Sequence, residues 1–159
     1  MPTIFPTHQS LQALLGKHIS QFCPRGYSAN SDNHCAHFVS HVLGLKVGAT
    51  CAIMSSKAGA AASIRVHELF SHCTAVGAWS SLSSVAFCGL VFITNASNVN
   101  LGMKTMINVP RKHVGIFLGV TPQIWHYSNS KHKVVCQSPG DFSHHYSSPD
   151  NAMFWGQLP

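Results

Sequence analysis

The 159-residue chain has the length and composition of one globular domain, which we expect to span residues 1–159. Hydrophobic residues make up 45% of it, which excludes intrinsic disorder. Its formal charge of +6 favours an anionic partner, but the basic residues are scattered singly except at Arg111-Lys112, so we do not expect nucleic acid to be that partner.

Three helices are predicted in the first half of the chain, each from apolar residues at helical spacing. The first covers residues 10–22, with Ser10 as its N-cap. The second covers residues 33–43 and ends at Gly44, because glycine readily adopts the left-handed conformation that closes a helix. The third covers residues 60–70, where alanine and leucine are frequent.

A long uncharged stretch follows the predicted helices. No Asp, Glu, Lys or Arg occurs between Glu68 and Lys104, and residues 75–93 approach the length of a membrane span. Serines and glycines dilute this stretch, so it predicts a loop and a buried strand, without stable membrane insertion. The N-terminus has no basic region followed by an apolar run, which predicts synthesis in the cytoplasm without a signal peptide.

The second half of the chain predicts an antiparallel sheet. Short apolar runs are separated there by turn residues, and they lie at residues 90–93, 114–118, 123–127, 133–137 and 152–155. Helices followed by strands are typical of an α+β domain.

Cys35 begins the buried stripe of the second helix, which continues through Phe38, Val39, Val42 and Leu43. The first turn of a helix has unpaired N–H groups and a positive dipole end, which favour a thiolate and can bind an oxyanion. The same pattern is typical of an ordinary core cysteine, so Cys35 alone leaves both interpretations open. The other five cysteines form no CxxC pair and are interpreted as buried hydrophobic residues.

Three histidines project from the other side of the second helix: His34, His37 and His41. His37 and His41 have the i, i+4 spacing of a zinc-binding helix, but no glutamate lies between them and Cys35 points away. We therefore expect a solvated histidine face and no metal ligand in the chain.

His113 and His126 lie in consecutive predicted strands, HVGIFLG and QIWHYS. A turn centred between Gly119 and Val120 would place the two histidines directly opposite each other, where one imidazole can act as base and the other can fix its tautomer. A one-residue shift of the turn would place them on a diagonal instead. Two unrelated polar residues at strand ends would give the same pattern.

The segments NHCAHFVSHVLG, CGLVFI, HVGIFLG and QIWHYSN resemble, in this order, the NlpC-type family of papain-like cell-wall peptidases. The match runs from about residue 27 to residue 136. It implies a papain-like core in which a catalytic helix packs on an antiparallel sheet. It also implies a triad of Cys35 as nucleophile, His113 as base and His126 as orienting residue, while Tyr27 matches a tyrosine near the oxyanion site.

The resemblance implies amide hydrolysis by acyl transfer on the short peptides of peptidoglycan, without metal or cofactor. In size, basic charge and the Asp32-Asn33 approach to its cysteine, the chain also resembles small antibacterial amidase effectors delivered by type VI secretion. That likeness implies action in the periplasm or cell wall, and it would add an immunity protein as a partner.

Two other functions stay open at this point. The same triad would serve a protein-directed cysteine peptidase or a thioester acyltransferase. The histidine-rich helix would alternatively suit a non-catalytic metal-binding module.

Overall fold

The computed structural model describes residues 2–83 and 87–159, and its fold is α+β. Six strands form one sheet in the order β1-β8-β2-β5-β6-β7, and every neighbouring pair is antiparallel. Strands β3 and β4 pair separately. The strands are β1 (Ala75–Ala78), β2 (Cys88–Asn95), β3 (Val99–Asn100), β4 (Thr105–Met106), β5 (Lys112–Leu118), β6 (Gln123–Ser128), β7 (Lys133–Gln137) and β8 (Asn151–Gln157).

Four short α-helices accompany the sheet: α1 (His8–Gln12), α2 (Cys35–Leu43), α3 (Val66–His72) and α4 (Pro139–Phe142). Helix α2 lies against β5 and β6, and α3 lies against β4 and β5. Among the described parts of the chain, no helix is both long and apolar enough to cross a bilayer. The loop predicted within residues 75–93 includes residues 84–86, which lie outside the described residues.

The two faces of the sheet are covered by different elements. Side chains alternate along a strand, so Val114 and Ile116 of β5 join the core that contains α2, while Phe117 joins a second cluster around Phe142 of α4. Both faces of β5 are therefore buried, which explains its almost continuous apolar sequence.

The second predicted helix and the five predicted strands are confirmed. Helix α2 ends as expected at Gly44, whose φ of 69° is left-handed. Its buried stripe begins at Cys35 and continues through Phe38 and Val39. The sequence patterns missed the short strands β1, β3 and β4, because two to four residues carry too little alternation to be recognised.

The first predicted helix, residues 10–22, is wrong in extent, and Thr7 caps α1 instead of Ser10. Gly16 has a φ of 78°, and its N–H donates to the Val134 carbonyl at 3.0 Å. The Val134 N–H donates in turn to the Lys17 carbonyl at 3.0 Å. Pairing of residues 16–17 with β7 therefore replaces the helical hydrogen bonds, and a glycine makes the turn possible.

The third predicted helix, residues 60–70, is wrong in its first half. Residues before Val66 are extended, because Ser63 donates its N–H to the Leu45 carbonyl at 3.0 Å and Ala62 accepts from the Cys51 N–H at 2.9 Å. The hydrogen bonds of this alanine-rich segment to the rest of the fold thus outweigh its helical propensity.

The β5–β6 hairpin is displaced by one residue from the first of the two predicted registers. Ile116 pairs with Trp125 and Leu118 pairs with Gln123, so the turn is centred between Val120 and Thr121. His113 and His126 are therefore diagonal neighbours on one face of the sheet. Gly115 stands opposite His126, and a Cβ there would lie 2.6 Å from Ile124 Cγ2, which explains the glycine.

Candidate catalytic site and a second histidine cluster

His113, His126 and Gln137 form a hydrogen-bonded chain, which we call the hairpin relay. His113 Nε2 lies 2.8 Å from His126 Nδ1, and His126 Nε2 lies 2.6 Å from Gln137 Oε1. An amide oxygen only accepts, so His126 carries its proton on Nε2 and accepts on Nδ1. His113 then donates from Nε2, which leaves a lone pair on its Nδ1.

The free nitrogen of His113 is unusual, because buried polar atoms normally have a hydrogen-bond partner. Nδ1 is buried and has no hydrogen-bond partner among the described residues. Burial, with the neighbouring His126 and His145, holds the pKa of His113 well below its usual range, and burial lowers the pKa of His126 to about 4. Both imidazoles are therefore neutral at pH 7, and Nδ1 is an unpaired base at a structural cost.

Cys35 and the hairpin relay lie on opposite faces of the sheet. Cys35 packs in the core with Val114 and Ile116, whereas the rings of His113 and His126 pack against Phe142 of the second cluster. Backbone at Val114, the residue after His113 in β5, acts on the Cys35 thiol. The structure therefore brings Cys35 to the backbone of the strand that carries His113.

The state of Cys35 differs from the expected helix-terminal thiolate. Cys35 is fully buried, and burial raises the pKa of its thiol to about 11, although backbone at Val114 and Ala36 and the charge of Lys112 act in the opposite direction. No hydrogen bond joins Cys35 to His113 among the described residues. Dehydration of the thiolate outweighs the helix terminus here.

The expected oxyanion donor is also engaged. The Cys35 N–H donates to Asn33 Oδ1 at 3.0 Å, and the same oxygen accepts from Asn129 Nδ2 at 3.1 Å. Asn129 Oδ1 accepts in turn from the His34 N–H at 2.9 Å. The two asparagines therefore tie the start of α2 to the turn after β6, and an oxyanion at this N–H would have to replace Asn33.

Three residues of this site were missed by the sequence patterns. His145 stacks on His113 with ring centroids 3.9 Å apart and planes at 13°, and Tyr146 follows it in a half-buried position. Burial raises the pKa of Tyr146, and a Cys35 thiolate would raise it further. Gln137 had a usable signal, because alternation along β7 places it on the face of His126.

Basic side chains act on two groups of the site, the Cys35 thiol and the Tyr146 hydroxyl. Lys112 is half-buried, and burial lowers the pKa of its ammonium while Cys35 acts in the opposite direction. Arg65 acts on Lys112, and Arg111 acts on Tyr146. The site therefore has a positive field that favours a negatively charged ligand.

Tyr27 precedes α2 in the chain and packs against a different side of that helix from the one that carries Cys35. Its ring centroid is 5.2 Å from that of His34 and 5.2 Å from that of His37. At 100° per residue, both histidines lie far around the helix from Cys35. The structure therefore places Tyr27 with the histidines, and a role for it at the oxyanion site stays a prediction.

The expected solvated histidine face is wrong. His34 and His37 are buried and His41 is half-buried, because Tyr27 and the segment around Cys51 cover them. Four groups converge there: Cys23, His37, His41 and Cys51 offer ligand atoms within 4.8 Å of one another, and we call them the helix cluster. The sequence predicted no metal ligand, because Cys23 and Cys51 are distant in sequence from His37 and His41 and no spacing along the chain links them.

Comparisons of the chain with protein-family models, with curated proteins and with solved structures find no significant match.

Proposed function

We propose that the chain is a papain-like cysteine hydrolase that cleaves amide bonds of peptidoglycan peptides, with Cys35, His113 and His126 as its triad. The observation that carries the proposal is the hairpin relay, which ends on the buried Nδ1 of His113, unpartnered among the described residues, in the strand whose Val114 backbone acts on the Cys35 thiol. A base, its orienting residue and a thiol are the groups that acyl transfer through a cysteine requires.

The reaction would begin from neutral groups. As Cys35 Sγ attacks the carbonyl carbon, its proton passes to His113 Nδ1, and the resulting imidazolium is stabilised through Nε2 by His126. The imidazolium then protonates the leaving amine, which breaks the C–N bond and leaves a thioester. Water, deprotonated by His113, hydrolyses the thioester and restores the thiol.

Substrate access would require movement of the residues that cover the triad. Cys35 and His113 are fully buried, and His145 covers one face of the base. We therefore expect that a bound peptide displaces His145 and Tyr146. Because the thiol of Cys35 is fully buried whereas Cys88 and Cys136 are only half-buried, these two cysteines should react with iodoacetamide before Cys35 in the free protein.

The substrate class rests on charge. Stem peptides of peptidoglycan carry free carboxylates, and the site has three cations: Lys112 acts on the Cys35 thiol, Arg65 acts on Lys112, and Arg111 acts on Tyr146. The formal charge of +6 also suits an anionic wall.

The proposal is tested by digesting purified muropeptides and casein in parallel and identifying the products by mass spectrometry. Wild type and Cys136→Ser, a matched control in β7, should release the same muropeptide fragments, and Cys35→Ala should release none. Equal activity in Cys35→Ala would overturn the proposal. Cleavage of casein alone would favour a protein-directed peptidase.

The place of action follows from the substrate, which lies outside the cytoplasmic membrane of a Gram-negative cell. Expression in the cytoplasm should be tolerated, and export through a fused Sec signal should cause lysis that Cys35→Ala abolishes. Toxicity confined to the cytoplasmic form would instead favour a protein substrate. An immunity protein that binds this chain would suppress the lysis when it is exported with it.

A further inference from the structure

We propose that the helix cluster, Cys23, His37, His41 and Cys51, binds one Zn²⁺ ion that has a structural role. Each residue offers one ligand atom, and the four atoms lie within 4.8 Å of one another. Cys35 lies on the opposite side of α2 from His37 and His41, because residues advance by 100° along a helix. The site is therefore separate from the proposed triad and does not depend on it.

The spacing of the ligand atoms suits a tetrahedral ion. With Zn–N bonds of about 2.0 Å and Zn–S bonds of about 2.3 Å, a tetrahedron has nitrogens about 3.3 Å apart and nitrogen about 3.6 Å from sulfur. His37 Nε2 and His41 Nε2 are 3.1 Å apart, and Cys51 Sγ is 4.0 Å from His41 Nε2. Shifts of a few tenths of an ångström would therefore complete the coordination.

A second hydrogen-bonded chain prepares His37 as a ligand. His34 Nε2 lies 2.8 Å from the Ala29 carbonyl, which only accepts, so the neutral His34 has its lone pair on Nδ1. His34 Nδ1 lies 3.1 Å from His37 Nδ1, which must then be the donor. His37 therefore presents the lone pair of Nε2 to the cluster, as zinc-binding histidines do when their other nitrogen is held by an outer partner.

The ligand types select the metal. Two thiols and two imidazoles in a tetrahedral arrangement favour Zn²⁺ over the cations that prefer oxygen ligands. The three residues between His37 and His41 fall within the range that structural zinc sites use. The Ala62 N–H, 3.4 Å from Cys51 Sγ, donates to the sulfur and would stabilise the metal-bound thiolate.

The position of the cluster explains what the ion would do. Cys23 follows the 3-10 turn Ile19–Gln21, and Cys51 begins the 3-10 turn Cys51–Ile53 in the largely irregular chain between α2 and α3. The apolar contacts that hold these segments form a small cluster of Cys23, Cys51 and Ala62, with Tyr27 and Ile64 at its edge. An ion bound to α2 and to both turns would crosslink two short turns to the helix.

The test measures metal in the full-length protein, purified under reducing conditions from zinc-supplemented medium. Wild type should contain about one zinc per chain, and Cys51→Ser or His41→Ala should retain less than about a tenth of that. Cys136→Ser and His144→Ala are matched controls outside the cluster and should keep the full content. Cys35→Ala should also keep it, which separates this result from any failure of the proposed hydrolysis.

A second measurement uses wild type alone, so it tests the proposal even if the ligand variants fail to fold. Wild type stripped with a chelator and reloaded with Co²⁺ should show thiolate-to-cobalt charge transfer and the strong d–d bands of a tetrahedral ion. Folded, reduced wild type that binds neither zinc nor cobalt through thiolates would overturn the proposal. A Cys23–Cys51 disulfide in freshly purified protein would overturn it as well.

Discussion

In both the hairpin relay and the helix cluster, a chain of hydrogen bonds sets the tautomer of a histidine, but the two regions differ in what surrounds its other nitrogen. In each, a chain of imidazoles starts from a group that only accepts, Gln137 Oε1 or the Ala29 carbonyl, and this fixes which nitrogen of the last histidine is free. In the hairpin relay, the free atom is a single nitrogen without a partner. In the helix cluster, the free nitrogen faces a second imidazole and two thiols.

The difference matches what a general base and a metal site each require. A metal needs several donor atoms that converge on one point, whereas a general base needs a lone pair that no other group uses. Helix α2 contributes to both sites through opposite sides, with Cys35 on one and His37 and His41 on the other. Changes at the two sites should therefore affect different properties of the protein.

The largest expected effect separates the members of the hairpin relay. His113→Ala should lower kcat/KM on muropeptides by about 10⁴-fold, because it removes the base. His126→Gln should lower it by only about 10- to 100-fold, because an amide can still accept from His113 Nε2. Steady-state kinetics on one purified muropeptide measures both, and full activity of His113→Ala would contradict the assignment.

The next effect is on stability and concerns the helix cluster. Removing the ion, by a chelator or by Cys51→Ser, should lower Tm by about 10 °C, because three segments lose their crosslink. The kcat of the molecules that remain folded should stay within about threefold of wild type, since no cluster residue contacts the thiol or base. Thermal denaturation with Cys136→Ser as control checks this, and a Tm that does not respond to the chelator would contradict it.

The pKa of His126, which burial lowers to about 4, gives a pH-dependent stability. The unfolded chain binds a proton at this side chain below about pH 6.5 and the folded chain does not. Stability from the relay is therefore fully present above pH 6.5 and falls as the pH decreases towards 4. His145 and Lys131 lower the pKa of His126 in the same direction as burial, while hydrogen bonds to Gln137 and to the Tyr127 backbone act in the opposite direction.

The measurement is Tm as a function of pH in the wild type and in His126→Gln. The wild type should lose stability between pH 6.5 and pH 4, and the variant should lose less over the same interval because it has one titrating group fewer. Parallel curves for the two proteins would show that His126 is not buried as a neutral imidazole.

The smallest effect tests the positive field around Cys35. Lys112→Met keeps the length and the apolar stem of the side chain and removes its charge. We expect KM for an anionic muropeptide to rise about 10-fold with little change in kcat, because a charge that acts equally on substrate and transition state affects binding only. An amidated, uncharged substrate should show no such difference, and equal effects on both substrates would argue against recognition of carboxylates.

Local patterns predicted a large part of the structure and of the relay. The apolar stripe of α2, the terminating Gly44 and the five longer strands were all readable, because helix and strand impose periods on buried residues. The pairing of His113 with His126 was also anticipated, although the observed register is the diagonal one. A hairpin joins residues close in sequence, so its partners can be inferred from the turn.

The sequence by itself determined helix α2, the five longer strands, the stripe that buries Cys35 and the hairpin that carries two histidines. Only the tertiary structure decided where Gly16 breaks the first helix, why residues 60–65 are extended, and which distant cysteines meet His37 and His41. The physical reason is that periodicity records which face of an element is buried, but not what covers that face. Cys23 and Cys51 reach α2 through irregular segments whose paths depend on hydrogen bonds to the rest of the fold.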